Sequence, residues 1–191
     1  MAANRVGKTE GAGGYETTCH LTGRYPRWWP GRRFPFPIQA WMAGKTNEST
    51  RDILQKKMFG DIVWEDAEKR VTGTGMLPYE DIGDVTWKSH DLIDTIAVKH
   101  HDRHGEVDGW STLGVKSYQQ GRGSFEGTER HLIWLDEEPE GQEGENIYAE
   151  CLTRTMITDG IILLTFTPLE GLSKVVLMFM PGGKAPDKGV V

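Results

Sequence analysis

The chain has 191 residues, of which 37% are hydrophobic and 26% are charged, and its formal net charge is −6 at pH 7. These values predict a globular domain whose core needs neither disulfides nor a zinc cage, and the chain has only two cysteines. No apolar run approaches the ~20 residues of a membrane span, and no signal peptide opens the chain, so we expect a cytoplasmic protein without a membrane partner. The negative charge excludes a protein that coats nucleic acid with its whole surface.

The first motif in the chain is a phosphate-binding pattern at residues 2–9, A-A-N-R-V-G-K-T. Gly7, Lys8 and Thr9 fit the pattern G-x-x-x-x-G-K-[ST], whereas Ala2 stands where its first glycine would be. In such a loop, backbone N–H groups and a helix N-terminus hold the phosphates, the lysine neutralises the β- and γ-phosphates, and the hydroxyl ligates Mg²⁺. The alternative is a chance G-K-T. The nucleotide-binding residues predicted here are Asn4, Arg5, Val6, Gly7, Lys8 and Thr9.

The remaining elements follow in alternation. Short apolar runs predict strands at residues 38–43, 94–99, 110–115, 131–135, 161–166 and 175–180. Helices are expected from about residue 8, at 49–59 and at 146–158, and the polar segment 99–110 predicts a hairpin turn. A second G-K-T at residues 44–46 lacks the upstream glycine, and we interpret it as a plain turn. Strands that alternate with helices favour an α/β fold with a mostly parallel central sheet flanked by helices.

The strand predicted at 131–135 ends in consecutive carboxylates, Asp136 and Glu137. We expect Asp136 to hold the Mg²⁺ shell through water, and Glu137 to polarise the attacking water as a general base. The next strand runs into Thr167 and Pro168. Because adjacent parallel strands end on the same edge of a sheet, a polar residue there can sense the γ-phosphate. The alternative is an exposed acidic turn after a buried strand.

Five motifs in this order resemble the ATPase domain of the large terminase subunit of tailed bacteriophages, a P-loop NTPase of the additional-strand, catalytic-glutamate type. They are N-R-V-G-K-T at 4–9, S-Y-Q-Q-G-R at 117–122, F-E-G at 125–127, W-L-D-E-E-P at 134–139 and T-F-T-P-L-E-G at 165–171. The resemblance spans residues 1 to about 180. It implies that ATP hydrolysis drives double-stranded DNA into a preformed capsid in the cytoplasm of the bacterial host.

The resemblance also implies roles for single residues. Lys8 and Thr9 would bind the phosphates of ATP and Mg²⁺, Asp136 would be the Walker B acid, and Glu137 the catalytic carboxylate. Thr165, Thr167 and Pro168 would couple hydrolysis to movement.

Arginines carry the rest of the implied chemistry. Arg5 matches in type the arginine that the family places in or beside the P-loop. Arg122 is the first candidate for an arginine finger offered to a neighbouring subunit, with Arg130 and Arg154 as reserves. The alternative for each of them is a surface salt bridge.

The implied partners are double-stranded DNA, the portal protein, the small terminase subunit and further copies of the chain in a ring. We expect residues 1–180 to form an ATPase domain that lacks the family's first strand, 181–191 to form a tail or linker, and the nuclease domain to be absent. A truncated, non-catalytic prophage remnant or structural fragment is the alternative. Another P-loop ATPase, such as a helicase, would need motifs after residue 171.

Two further features have competing interpretations. The segment 24–37, R-Y-P-R-W-W-P-G-R-R-F-P-F-P, suits either nucleic acid or a rigid packed loop, and its prolines favour packing. His100, His101 and His104 could suit a metal, but a solvated hairpin tip explains them better.

Overall fold

The fold is organised by a mixed β-sheet. The computed structural model describes residues 7–167 and 173–179. The strands in these residues are β1 (Gln39–Gly44), β2 (Ile62–Glu65), β3 (Glu68–Val71), β4 (Ile82–Trp87), β5 (Ile93–His101), β6 (Val107–Ser117), β7 (Leu132–Asp136) and β8 (Ile161–Thr165). The main sheet has the order β4-β5-β6-β1-β7-β8, and β2 pairs with β3 in a separate hairpin. Strands β6, β1, β7 and β8 are parallel, whereas β4 and β5 are antiparallel.

Helices cover both faces of this sheet. A π-helical segment, Lys8–Gly14, continues into α1 (Tyr15–Thr22). The short helix α2 (Asn47–Ser49) continues through a π-helical segment, Thr50–Gln55, into α3 (Lys56–Phe59), and α4 (Gly141–Met156) and α5 (Lys174–Met178) follow later in the chain. The α/β class, the parallel centre of the sheet and the predicted helices are therefore confirmed. None of the helices in the described residues is long and apolar enough to cross a membrane.

The strand predicted at residues 175–180 is wrong, because Lys174–Met178 forms helix α5. The Ser173 hydroxyl caps this helix by accepting a hydrogen bond from the backbone N–H of Val176. Val175 and Val176 are both buried, and Val175 packs into the core that contains Ile147 of α4. An apolar run of this length is compatible with a helix or a strand, and the Ser173 cap favours the helix.

Alternate residues of the central strands build two cores. Trp134 on β7 points into the core that contains Leu21 of α1, whereas Ile133 and Leu135 point into the core that contains Ile147 of α4. Both faces are covered, which explains why the parallel strands have continuous apolar sequences. The predicted hairpin between β5 and β6 is confirmed.

The histidines and the basic-aromatic segment lie on the periphery of this sheet. His100 and His101 are buried, so a solvated hairpin tip is wrong for these two, and they hydrogen-bond to Asp108 and Asp81. Among the described residues, no group of three or more His, Cys, Asp or Glu side chains is placed so that it could hold a metal ion. In segment 24–37, Phe34 is fully buried, which supports packing, while 69% of Trp28 is exposed.

Candidate nucleotide site

A cavity of about 360 Å³ opens where the parallel strands β1, β7 and β8 end. This edge of a parallel sheet is where such folds bind ligands. The described residues of the phosphate-binding pattern and of the predicted ends of β7 and β8 come together here. The cavity is lined mainly by Gly7, Lys8, Thr9, Gly44, Lys45, Lys57, Asp136, Glu137, Glu138, Glu140, Thr165, Phe166 and Thr167.

The phosphate-binding pattern forms the turn that starts the first helix. Gly7 has φ 73° and ψ 25°, a left-handed conformation that favours glycine, and the helical segment begins at the next residue. The Lys8 ammonium donates a hydrogen bond to the hydroxyl of Thr167, at 2.8 Å. The lysine side chain therefore lies across the end of β8. The predicted residues Asn4, Arg5 and Val6, as well as Pro168, lie outside the described residues.

The Asp136 carboxylate accepts hydrogen bonds from two hydroxyl groups. Its Oδ1 accepts hydrogen bonds from Thr9 at 3.0 Å and from Thr165 at 2.6 Å. The Thr165 hydroxyl in turn accepts a hydrogen bond from the indole N–H of Trp134, at 2.7 Å. Burial raises the pKa of Asp136, and the hydrogen bonds from Thr165 and Thr9 oppose that rise. Thr9 and Asp136 are 127 residues apart in sequence, so the fold itself joins the two halves of the predicted metal site.

These oxygen atoms fit Mg²⁺. A hydroxyl and a carboxylate are hard ligands, and Mg²⁺ uses one or two protein oxygens together with water and phosphate oxygens. Thr9 and Asp136 present such atoms to a cavity that also contains Lys8. The donor set therefore suits a magnesium–nucleotide complex better than a metal held by protein groups alone.

Glu137 adopts an uncommon backbone conformation. Its φ is 65°, which is unfavourable for a residue other than glycine. Its backbone N–H donates to the Thr165 carbonyl at 2.9 Å. The Tyr118 hydroxyl hydrogen-bonds to the carbonyl oxygens of Asp136 at 3.0 Å and of Glu137 at 2.9 Å. The strained turn is thus held from both sides, and it exposes the Glu137 side chain to the cavity.

The electrostatics of Glu137 suit a base. Its pKa is raised, first by partial burial and then by the adjacent Asp136 charge, while Lys45 opposes the rise. Burial also raises the pKa of Tyr118 well above its usual value, so its hydroxyl stays protonated and can donate. Tyr118 lies in the S-Y-Q-Q-G-R motif at residues 117–122. The sequence assigned it no role, because its contact with the end of β7 depends on the tertiary fold.

The second G-K-T forms a turn, as its interpretation predicts, because Thr46 caps α2. Gly44 and Lys45 also line the cavity, which that interpretation did not include. The sequence could not show this, because the placement of β1 beside β7 is a property of the strand order.

The candidate arginine fingers do not line this cavity. Arg122 forms ion pairs with Glu126 at 3.6 Å and with Glu150 at 3.2 Å. Arg154 also pairs with Glu150, and the Arg130 guanidinium lies 4.2 Å from the centroid of a Trp41 ring. Within this chain the salt-bridge alternative describes Arg122 and Arg154, and an action on a neighbouring subunit stays a prediction.

Known proteins share both the sequence and the fold. Residues 1–182 match the family model described as terminase large subunit, T4likevirus-type, N-terminal. The chain is 39% identical over 204 residues to the large terminase subunit of Salmonella phage P22, and the alignment covers 98% of this chain and 38% of that protein. The chain therefore spans a little over a third of that relative's length.

Solved structures agree on the fold. The large terminase ATPase domain of Thermus phage P74-26 superposes with a TM-score of 0.56 at 17% identity, covering 92% of this chain and 60% of that chain. A mutant of the same domain gives a TM-score of 0.57 at 17% identity, covering 94% and 63%. At this identity the superposition supports the fold class, and the family model and the P22 relative support the family.

Proposed function

Since the chain belongs to the terminase large subunit family, matching its N-terminal model over residues 1–182, we propose that it hydrolyses ATP to drive double-stranded DNA into a viral capsid. One observation carries the proposal most directly. The hydroxyl of Thr9, next to the P-loop lysine, lies 3.0 Å from the carboxylate oxygen of Asp136 at the end of β7. This is the pairing that a hydrolytic P-loop site requires, and it arises from distant parts of the chain.

The binding half of the reaction belongs to the P-loop. Lys8 would neutralise charge on the β- and γ-phosphates, and Asn4, Arg5, Val6 and Gly7 would contribute the phosphate cradle. Thr9 would hold Mg²⁺ directly and Asp136 would hold it through water. When bound, the metal offsets the negative charge of the phosphate oxygens.

The catalytic half belongs to the end of β7. Glu137 would orient a water molecule and take its proton as the water attacks the γ-phosphate. The strained turn would set the direction of the Glu137 side chain before ATP binds, so little backbone reorganisation would be needed at the moment of reaction. Arg5, in the P-loop, would stabilise the charge that develops on the phosphates.

The end of β8 is positioned to couple hydrolysis to movement. Thr165 touches the Asp136 carboxylate, and Thr167 accepts the hydrogen bond from Lys8. A change in the phosphates or the metal would alter both contacts, and Pro168 follows immediately in the chain. We propose that this segment transmits the nucleotide state to the parts of a motor that grip DNA.

Assembly would complete the site. In a ring of copies, Arg122 would leave its ion pair with Glu150 and stabilise the transition state in the neighbouring cavity, as arginine fingers do. The portal protein and the small terminase subunit would be the other partners of this ring. A chain that binds no Mg-ATP would instead be a structural fragment.

The proposal is tested by measuring phosphate release with ATP, Mg²⁺ and double-stranded DNA. We expect hydrolysis that requires Mg²⁺, stops with a chelator and rises when DNA is added. Lys8→Ala should lower the rate of hydrolysis by about 100-fold or more, because the phosphate oxygens would lose the positive charge and the hydrogen bond of the Lys8 ammonium. Hydrolysis that persisted in Lys8→Ala or with the chelator would contradict the proposal.

Tyr118→Phe should lower turnover by about tenfold without weakening ATP binding. The ring is kept, but the two hydrogen bonds to the Asp136 and Glu137 carbonyls are lost, so the strained turn can relax. Turnover and the equilibrium binding of a fluorescent ATP analogue separate the two effects. Tyr79→Phe is a matched control, because 59% of that tyrosine is exposed and it does not line the cavity. Equal turnover in both variants would show that Tyr118 does not position Glu137.

A further inference from the structure

Lys45 occupies a distinct place in the cavity. Strand β1 is parallel to β7, and the last pair in their register is Ala43 with Leu135. Lys45 lies two residues beyond that pair, just after β1, and Glu137 lies two residues beyond it, just after β7. The two side chains therefore leave neighbouring strand ends at the same level, and both line the cavity.

The other cavity lysines lie on the P-loop side. Lys8 contacts Thr167 at the end of β8, and Lys57 pairs with Glu10, just after the P-loop, at 3.2 Å. Strand β7 lies between β1 and β8 in the sheet. The carboxyl end of β7 therefore lies between Lys45, which follows β1, and the contact of Lys8 with Thr167, which follows β8. A general base faces the water that attacks the γ-phosphate, so a cation beside Glu137 and away from the P-loop lies on the γ-phosphate side.

The ammonium of Lys45 is held in a contact that can be exchanged. It forms an ion pair with Glu140 at 2.7 Å, and the two side chains are 50% and 43% exposed. Exposed ion pairs of this kind contribute little to stability. A triphosphate in the cavity would offer a higher negative charge than the Glu140 carboxylate does.

The backbone at this position is fixed by the segment that also holds Glu137. The carbonyl of Lys45 accepts a hydrogen bond from the N–H of Gln119 at 3.2 Å, and the preceding Tyr118 holds the carbonyl of Glu137 at 2.9 Å. Two adjacent residues therefore set the spacing between the backbones of Lys45 and Glu137, from which the two side chains enter the cavity. Such fixed spacing is what a phosphate contact beside an attacking water requires.

We propose that Lys45 is a second phosphate-binding lysine, which exchanges Glu140 for the γ-phosphate and so makes the cavity favour a nucleoside triphosphate over a diphosphate. This inference rests on the proposed function, because it assumes that the cavity binds ATP. Lys8 would hold the nucleotide from the P-loop, whereas Lys45 would contact the phosphate that is present only before hydrolysis. Glu140 would keep the lysine in place when the cavity holds ADP.

The test compares the affinities of the chain for fluorescent ribose-labelled ATP and ADP, each with Mg²⁺. In Lys45→Ala the ratio of ATP to ADP affinity should fall by about 10-fold to 100-fold, the usual effect of losing a hydrogen bond to a charged group. Lys45→Arg should retain most of the ratio. Lys56→Ala should leave it unchanged, since Lys56 also pairs with a carboxylate, Asp61, but does not line the cavity.

Glu140→Gln separates this role from a purely structural ion pair. It breaks the same contact as Lys45→Ala but leaves the cation, so the affinity ratio should be unchanged or higher. An equal fall in the ratio for both variants would overturn the inference, as would a ratio for Lys45→Ala within about twofold of the unsubstituted chain. Lys8→Ala is the control for ATP binding in the same assay. If Lys8→Ala fails to bind ATP while the affinity ratio of Lys45→Ala is unchanged, only the role of Lys45 is overturned. An unsubstituted chain that binds neither nucleotide would overturn the proposed function as well.

Discussion

Glu137→Gln is expected to reduce ATP turnover by about 100-fold or more while ATP binding stays close to normal. Glutamine has nearly the same shape but cannot take a proton from the attacking water. The contacts proposed to bind nucleotide, from Lys8 and the Thr9–Asp136 pair, do not involve this side chain. Single-turnover hydrolysis and equilibrium binding, measured on the same preparation, check the two halves of the expectation.

Glu138→Gln is the matched control. Glu138 is the next residue in the chain and also lines the cavity, but its carboxylate accepts a hydrogen bond from Ser173. Its substitution should change turnover by no more than about threefold, because no proton transfer depends on it. Similar losses in both variants would show that the cavity needs negative charge in general and not a base at Glu137.

The pH dependence gives an independent check. A base acts when it has lost its proton, so turnover should rise with pH as Glu137 ionises. Partial burial and the adjacent Asp136 raise the pKa of Glu137 above the usual 4.5, and the acidic limb should lie correspondingly higher. Lys45 opposes that rise, so Lys45→Ala should move the limb to still higher pH. The limb should disappear in Glu137→Gln.

The sequence predicted the parts of the site that depend on local pattern. Gly7, Lys8 and Thr9 form a recognisable turn, and Asp136 and Glu137 follow an apolar strand whose two faces are covered. Parallel strands end on the same edge of a sheet, so it was sound to expect these groups near each other. The structure brings all five of these residues into one cavity.

The parts that the sequence did not predict depend on strand order and tertiary contacts. No pattern shows that β1 lies beside β7, which places Lys45 and Glu137 at neighbouring strand ends, or that Tyr118 reaches the carbonyl of Glu137. Strands β2, β3 and β4 were missed because nearly all of their residues are exposed or partly exposed, and β3 is mostly charged. Their apolar periodicity is too weak to distinguish them from loops.

The P-loop helix is also tied to the sheet by a steric constraint that its sequence conceals. A Cβ atom at Gly13 would lie 2.3 to 2.5 Å from ring atoms of Trp134, which is completely buried. The same indole donates to Thr165, whose hydroxyl donates to Asp136. Gly13 therefore permits the close approach that sets the distance between the P-loop and the Walker B strand.

Gly13→Ala is thus expected to lower the free energy of unfolding by about 1–3 kcal/mol, because either the ring or the helix must shift. A shift of the helix moves Thr9 away from Asp136, so turnover should also fall by about tenfold or more. Gly11→Ala on the same helical segment is the control, since nothing lies within 4 Å of its added methyl group. In that variant the free energy of unfolding should rise by about 0.5–1 kcal/mol, because alanine has a better helix propensity than glycine, and turnover should stay unchanged.

Denaturant unfolding and ATP turnover of the two variants separate packing from propensity. Helix propensity alone would raise the free energy of unfolding of both variants. The steric constraint at Trp134 predicts that Gly13→Ala lowers this free energy and that Gly11→Ala raises it. Trp134→Phe offers a second view, because a smaller ring makes room for the methyl group. In the double variant Gly13→Ala with Trp134→Phe, the stability loss should be smaller than the sum of the two single losses. Additive losses would mean that the glycine and the indole do not set the position of the P-loop together.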